Sequence, residues 1–200
     1  MKKGRIYTIV FMLIISAVFA LLLAGANKLF LPKIKENELL AERTAILYVL
    51  DIDQSGTAGE ILARFEENVE ETTVSGVGLY EYTSSDGKPI AYAVPFTGSG
   101  LWGTISGYMG VSAGLDEITG VVFTDQSETP GLGGRIDELD YREQFRGIKI
   151  EADTTLEYGQ NGDTEIDAIT GATSTSNAVM RILNQLLDET VSKLEVANNG

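Results

Sequence analysis

Two hundred residues carry 29 Asp/Glu against 15 Lys/Arg, a formal net charge of −14, with neither Cys nor His. Within this sequence that excludes disulfides, thiolate-held iron–sulfur centres, histidine-ligated haem and Ser-His or Cys-His catalysis, so redox chemistry here needs an organic cofactor. The charge is segregated: residues 1–35 hold six cations (Lys2, Lys3, Arg5, Lys28, Lys33, Lys35) and no acid, while the remainder sums to −20. Such a remainder repels nucleic acid and anionic head groups, although acidity also serves plain solubility.

Residues 1–5 read as a short cytoplasmic N-terminus. Ile6 to Ala26 is a run of 21 uncharged, mostly apolar residues, about the length that spans a bilayer. Lys2, Lys3 and Arg5 in front of it favour a cytoplasmic start, and Lys28, Lys33 and Lys35 behind it weaken the asymmetry. Ala24-Gly25-Ala26 offers a possible cleavage site, but the run is long for a signal peptide, and a retained anchor over 6–26 is the reading taken. Without Cys there is no lipoprotein anchor.

Residues 27–70 read as a helical connector packing on the domain that follows. Pro32 is expected to close the span, with a helix from Lys33 to Leu50 whose stripe is Leu39, Leu40, Ile46, Leu47 and Leu50. Asp51 to Gly56 is similar to the start of a calcium loop but lacks the later ligands, so it reads as a turn. A second helix is predicted over Gly59 to Val69, with Ile61, Leu62, Phe65 and Val69 as its stripe.

Residues 71–200 read as one extracytoplasmic domain. Gly78–Thr83 and Pro89–Val94 alternate on either side of Ser85-Asp86-Gly87-Lys88, a strong hairpin signal. Strands are predicted at Thr104–Ser112 and Ile118–Thr124, joined by a turn at Gly114–Glu117. A short helix over Asp137–Phe145, a strand at Ile148–Ile150 and a last strand at Glu165–Ile169 follow. From Ser176 to Val196 the period is helical, with Val179, Ile182, Leu183, Leu186, Leu187, Thr190 and Leu194 as the stripe, and the last four residues are expected to fray. The fold class is α+β: an N-terminal transmembrane helix, then an antiparallel sheet flanked by helices.

Three segments depart from this regular pattern. Gly98-Ser99-Gly100-Leu101-Trp102-Gly103-Thr104 holds the sole Trp of the chain between glycines. It is either a tight turn with Trp102 in the core or an aromatic wall on a backbone that a flat ligand can approach. Gln126 to Arg135 contains Glu128-Thr129-Pro130-Gly131-Leu132-Gly133-Gly134, more glycine than a turn needs, with amides suited to a ring carbonyl or a phosphate. It has neither P-loop nor dinucleotide spacing. Asp167-Ala168-Ile169-Thr170-Gly171-Ala172-Thr173-Ser174-Thr175-Ser176 puts five hydroxyls in seven positions where a strand hands over to a helix. One hydroxyl suffices for an N-cap; free amides at a helix N-terminus suit a phosphate.

Together and in this order, behind one N-terminal span, these segments resemble the covalent FMN-binding domain family, known from the C subunit of the sodium-translocating NADH:quinone reductase (Nqr) and the G subunit of the Rnf ferredoxin:NAD oxidoreductase. The family's flavinylation motif is Asp, two variable residues, Ser or Thr, Gly, Ala, Thr, and Asp167, Thr170, Gly171, Ala172 and Thr173 match it. Glu128 to Gly133 matches a second family motif and Gly100-Leu101-Trp102 a third, and the similarity extends over most of residues 95–187. Gln126 stands where family members often carry His.

The resemblance implies an electron carrier with FMN joined through its phosphate to the Thr173 hydroxyl by a separate flavin transferase. Leu101 and Trp102 would line the ring; Glu128, Thr129, Leu132 and Gly133 would hold its polar edge; Thr175 and Ser176 would cap helix and phosphate; and Gly103, Thr170, Gly171, Ala172 and Ser174 would complete the cofactor-binding set. No residue is assigned a catalytic or metal-binding role. The partners implied are multispan flavin and iron–sulfur membrane subunits and the transferase, in a bacterial or archaeal plasma membrane, and not nucleic acid. The Gly-Leu-Trp segment favours the quinone-reductase protein and the chain length the Rnf protein. Rival readings are a free-standing flavinylated shuttle, a sensor holding FMN non-covalently, and a pilin-like protein, whose expected early acid is replaced by Ile9.

Overall fold

The computed structural model describes residues 2–151, 154–159, 165–191 and 193–194. The chain divides into two compact units, Met1–Leu40 and Ala41–Gly200. Helix α1 (Lys2–Val49) supplies the whole of the first. Over residues 4–39 its apolar side chains are exposed, and it is the one described helix long and apolar enough to cross a membrane. Pro32 lies inside this helix and does not close it. A proline removes one backbone hydrogen bond, and the turns on either side carry the helix past it.

In the second unit α1 ends in a Schellman motif. Asp51 takes φ 58°, its N–H donates to the Tyr48 carbonyl and the Ile52 N–H donates to that of Leu47. Helix α2 (Ala58–Asn68) starts on a capping box, in which Glu60 N–H donates to the Thr57 hydroxyl and Thr57 N–H to the Glu60 carboxylate. Ile61, Phe65 and Val69 of the predicted stripe are buried.

Five strands then form an antiparallel sheet in sequential order: β1 (Val69–Val74), β2 (Val77–Thr83), β3 (Pro89–Ser99), β4 (Thr104–Ser112) and β5 (Ile118–Asp125). Strand β1 has no counterpart in the sequence reading. It is an edge strand whose Glu70, Glu71, Thr72 and Thr73 give no apolar alternation, and only Val69 of its six residues is buried. Tyr92, Val94, Phe96, Ile105, Met109, Val111, Val121 and Phe123 point to one face and share a core with Val179, Ile182 and Leu183. The opposite face takes the end of α1 and α2: Tyr108 donates to Glu42, Thr119 donates to the Val49 carbonyl, and Phe65 meets Tyr80 edge-on.

After β5 the chain runs through a 3₁₀ turn (Gly133–Asp137), the single-turn helix α3 (Leu139–Arg142) and a second 3₁₀ turn (Glu143–Phe145), rather than one short helix. Residues 148–150 form an isolated bridge, Lys149 to Glu117, and not a strand. The last strand is also shorter than expected: β7 is Glu165–Ile166 and pairs in parallel with β6 (Glu157–Tyr158). Asp167 to Ala172 is therefore loop. Helix α4 (Thr173–Leu186) begins three residues before the predicted Ser176 and continues as a π-helical turn over Leu187–Val191. Val179, Ile182, Leu183, Leu187, Thr190 and Leu194 of its stripe are buried and Leu186 is half-buried. The predicted end of the helix at Val196 and the fraying of 197–200 lie outside the described residues.

Candidate functional site

Three connections converge on the N-terminal end of α4: the β3–β4 loop around Leu101, the segment after β5 around Glu128, and the loop entering α4. Gly171, at φ 81°, makes the turn into the helix, and Ala172 N–H donates to the Ile169 carbonyl. Ala172 is the N-cap and provides no side-chain hydrogen bond to the first turn. The expected caps are thus corrected. Thr175 and Ser176 lie inside the helix, where their hydroxyls turn away from the amides of the first turn.

Thr175 donates to Glu128 Oε2 at 2.5 Å. Ser176 Oγ accepts the Ile169 N–H at 3.2 Å and so pins the loop that carries Thr170 and Gly171. The Ser176 carbonyl accepts the Tyr158 hydroxyl, itself 3.0 Å from that of Tyr141. Thr173 and Ser174, by contrast, are exposed, as are Asp167, Thr170 and Gly171. The end of the helix therefore offers free amides and two outward hydroxyls together.

Glu128 is the hub of the site. It is 5 % exposed, and its Oε1 accepts the N–H groups of Leu101 at 2.8 Å and Trp102 at 3.0 Å. Burial works to raise its pKa, but the Thr175 hydroxyl and the Trp102 and Leu101 amides outweigh it and hold the carboxyl below the ordinary glutamate range. Its own N–H donates to Gln126 Oε1 at 2.6 Å, and Gln126 Nε2 donates to Asp137 at 2.8 Å. Gln126 thus keeps a hydrogen-bonding role at its departure from the family pattern.

The glycines are fitted to this hub. A Cβ on Gly133 would lie 2.5 Å from Thr175 Oγ1, and one on Gly100 would lie 2.5 Å from Glu128 Oε1. The turn is closed by Gly100 N–H donating to the Gly103 carbonyl at 2.7 Å. The exposed Thr129 offers its carbonyl to the N–H groups of Leu132 and Gly134. Above the hub, Leu101 (53 % exposed), Trp102 (69 %) and Leu132 (43 %) present apolar surface to solvent. A Cβ on Gly171 would lie 3.2 Å from Leu132 Cδ2, so Leu132 borders the turn that leads to Thr173. Of the two sequence readings for Trp102, the core turn is overturned.

Sequence reasoning missed two supports: Arg181, which donates to the Ser99 carbonyl at 2.6 Å, and the Gln126–Asp137 link. Neither has a local signal, because each joins residues that only the fold brings together.

The FMN-binding domain family profile matches residues 100–188, which include the second and third segments and the first from Gly100 onward. The G subunit of the ion-translocating oxidoreductase complex of Methanosarcina acetivorans is 32 % identical over 180 residues, covering 90 % of this chain and 91 % of the relative. The chain belongs to the FMN-binding domain family. The C subunit of the Na(+)-translocating NADH-quinone reductase of Pasteurella multocida is 36 % identical over 108 residues, covering 50 % of this chain and 42 % of that protein. The match spans less than half the length of that relative. Among solved structures, NqrC of Shewanella oneidensis superposes with a TM-score of 0.69 at 19 % identity over 84 % of this chain and all of that one. Its counterpart from the Na(+)-translocating NADH-quinone reductase of Parabacteroides distasonis gives 0.65 at 26 % identity over 80 % and 94 %.

The site fits the family's cofactor on its own chemistry. Uncapped amides with exposed hydroxyls suit a phosphate, and an exposed Trp with two leucines suits a flat heteroaromatic ring.

Proposed function

We propose that this chain is a membrane-anchored electron-transfer subunit that carries FMN as a phosphoester on Thr173. The observation that carries the reading is the placement of Thr173: the exposed first residue of a helix whose N-cap supplies no side chain, directly after the Gly171 turn and bordered by Leu132. Bound FMN would supply one- and two-electron redox chemistry, and the protein supplies position and electrostatics.

Thr173 would present its hydroxyl to the flavin phosphate, with the first-turn amides and the helix dipole stabilising the single charge a phosphodiester retains. Simple condensation with FMN lacks a driving force, so the donor must be activated, as in a flavin dinucleotide. The Thr173 oxygen would form the new P–O bond as the anhydride bond breaks, AMP would leave with the electron pair, and the hydroxyl proton would pass to a base on a separate transferase. Trp102, Leu101 and Gly103 would wall one side of the ring, and Leu132 and Gly133 would border the other. A covalent link makes physical sense in a domain outside the cytoplasm, where lost cofactor is not easily replaced.

Electrons would pass between this domain and multispan flavin or iron–sulfur subunits of an ion-translocating complex. Identity of 32 % sustained over 91 % of the Methanosarcina acetivorans relative, against 23 % over 91 % of a quinone-reductase C subunit, supports the Rnf-type assembly over the quinone reductase. The apolar N-terminal helix supports a single-pass anchor over residues 6–26; in the proposed topology residues 1–5 would be cytoplasmic, 27–70 the connector and 71–200 the extracytoplasmic domain.

The test is co-expression with a flavin transferase, followed by a denaturing gel viewed under ultraviolet light. The wild-type band is expected to fluoresce and Thr173→Ala to be dark. A dark wild-type band, or a fluorescent Thr173→Ala, overturns the ester.

A further inference from the structure

We propose that Glu128 is a positioning residue: a buried carboxylate latch that fixes the Leu101–Trp102 wall relative to the first turn of α4 before any cofactor arrives. The inference rests on the flavin reading for what the site holds, but the latch belongs to the polypeptide alone.

Three observations carry it. One carboxylate joins three segments that are distant in sequence, because Oε1 accepts the amides of Leu101 and Trp102 and Oε2 accepts the hydroxyl of Thr175. With Oε1 and Oε2 both engaged in a residue only 5 % exposed, Glu128 is directed inward, and the surface above it is left to Leu101, Trp102 and Leu132. The backbone around it is shaped for this arrangement alone, since a Cβ on Gly100 would meet Oε1 and a Cβ on Gly133 would meet Thr175 Oγ1, each at 2.5 Å.

Among the described residues, every group that donates to the carboxylate is neutral, so hydrogen bonds alone hold it. Two amides on one oxygen fix the loop's direction as well as its position. A neutral acceptor could hold the same amides, but a charged one accepts more strongly. Thr175 then transmits the position of α4 to the loop through a single hydroxyl. The ring wall and the attachment residue, two positions earlier in the same helical turn, are set by one group.

The experiment reads the chain without flavin, full length in detergent, by hydrogen exchange at the Leu101 and Trp102 amides and by fluorescence anisotropy of Trp102, the single Trp. Thr175→Val removes the hydroxyl and nearly preserves shape. It is expected to speed exchange at Leu101 and Trp102 at least tenfold and to lower the anisotropy, although the substitution lies on α4. Glu128→Ala is expected to do the same more strongly, and Glu128→Gln, whose side-chain oxygen still accepts both amides, to recover most of the protection. Exchange in β3 and β4 away from the loop serves as the control and is expected to stay within twofold.

The proposal is overturned if Thr175→Val leaves exchange at 101–102 unchanged, or if the sheet amides accelerate as much as the loop. It is also overturned if Glu128→Gln is as loose as Glu128→Ala. Should Glu128→Ala fail to fold, Thr175→Val and Glu128→Gln still decide it. Because no flavin is needed, a dark gel in the ester test leaves this outcome unaffected, and a failed latch leaves the ester standing.

Discussion

Thr173, Thr175 and Ser176 lie within one turn of α4 and differ in where their oxygens point, which separates their expected phenotypes. Ser176 and Ile169 are both buried, and the serine oxygen accepts the Ile169 N–H. Ser176→Ala leaves that amide without a partner and is expected to cost about 1–3 kcal/mol in chemical denaturation. Thr173 is exposed, so Thr173→Ala is expected to change stability by no more than about 0.5 kcal/mol while abolishing attachment. Glu128 adds a pH dependence. Its folded pKa lies below the ordinary value, so its stabilisation is present above about pH 4.3 and is lost as pH falls through the folded pKa. Acid titration of the unloaded chain's stability to denaturant is expected to show this loss below about pH 4.3, and Glu128→Gln, which has no ionisable group there, to remove that part of it. The residue types at the site were legible in the sequence. Their division of labour was not, because it depends on distances between residues 101, 128, 169 and 175 that no local pattern encodes.

At the scale of elements, regular patterns were read well and their ends poorly. The hairpin at Asp86-Gly87 and the apolar stripe of α4 declared themselves, because turn chemistry and a buried face are local properties. Strand β1 was invisible because an edge strand with one buried side chain needs no alternation. The strand expected at 165–169 is cut to two residues because the Ile169 N–H pairs with Ser176 rather than with a neighbouring strand. That cut frees Asp167 to Ala172 to turn into the helix, and Gly171 makes the turn at φ 81°. Gly76 holds the same φ in the β1–β2 turn, with open space where a Cβ would go. Gly171→Ala and Gly76→Ala are therefore each expected to cost about 1–2 kcal/mol of backbone strain. Only Gly171→Ala, which also presses on Leu132, is expected to reduce flavin attachment in the fluorescent-gel assay. Equal loss of attachment in both would mean that stability, and not the geometry of the turn, limits the reaction.

For the molecule as a whole, the segregated charge matters most. Cations are balanced across the apolar run, three before it (Lys2, Lys3, Arg5) and three after (Lys28, Lys33, Lys35), and residues 36–200 sum to −20. Acidic residues contribute little to the positive-inside rule, so orientation rests on a near-even contest between two small basic clusters. On the proposed topology the membrane potential would break the tie. With the cytoplasm negative, each elementary charge crossing 100 mV is worth about 2.3 kcal/mol, which favours the anionic domain outside and the basic N-terminus inside. An alkaline phosphatase reporter fused after Gly200, active only outside the cytoplasm, is expected to be active. Replacing Lys2, Lys3 and Arg5 with Gln removes one side of the contest, and a substantial fraction of the reporter is then expected to become inactive. An inactive reporter on the unaltered chain would place the domain in the cytoplasm, where free flavin is replaceable and the rationale for a covalent link on Thr173 disappears.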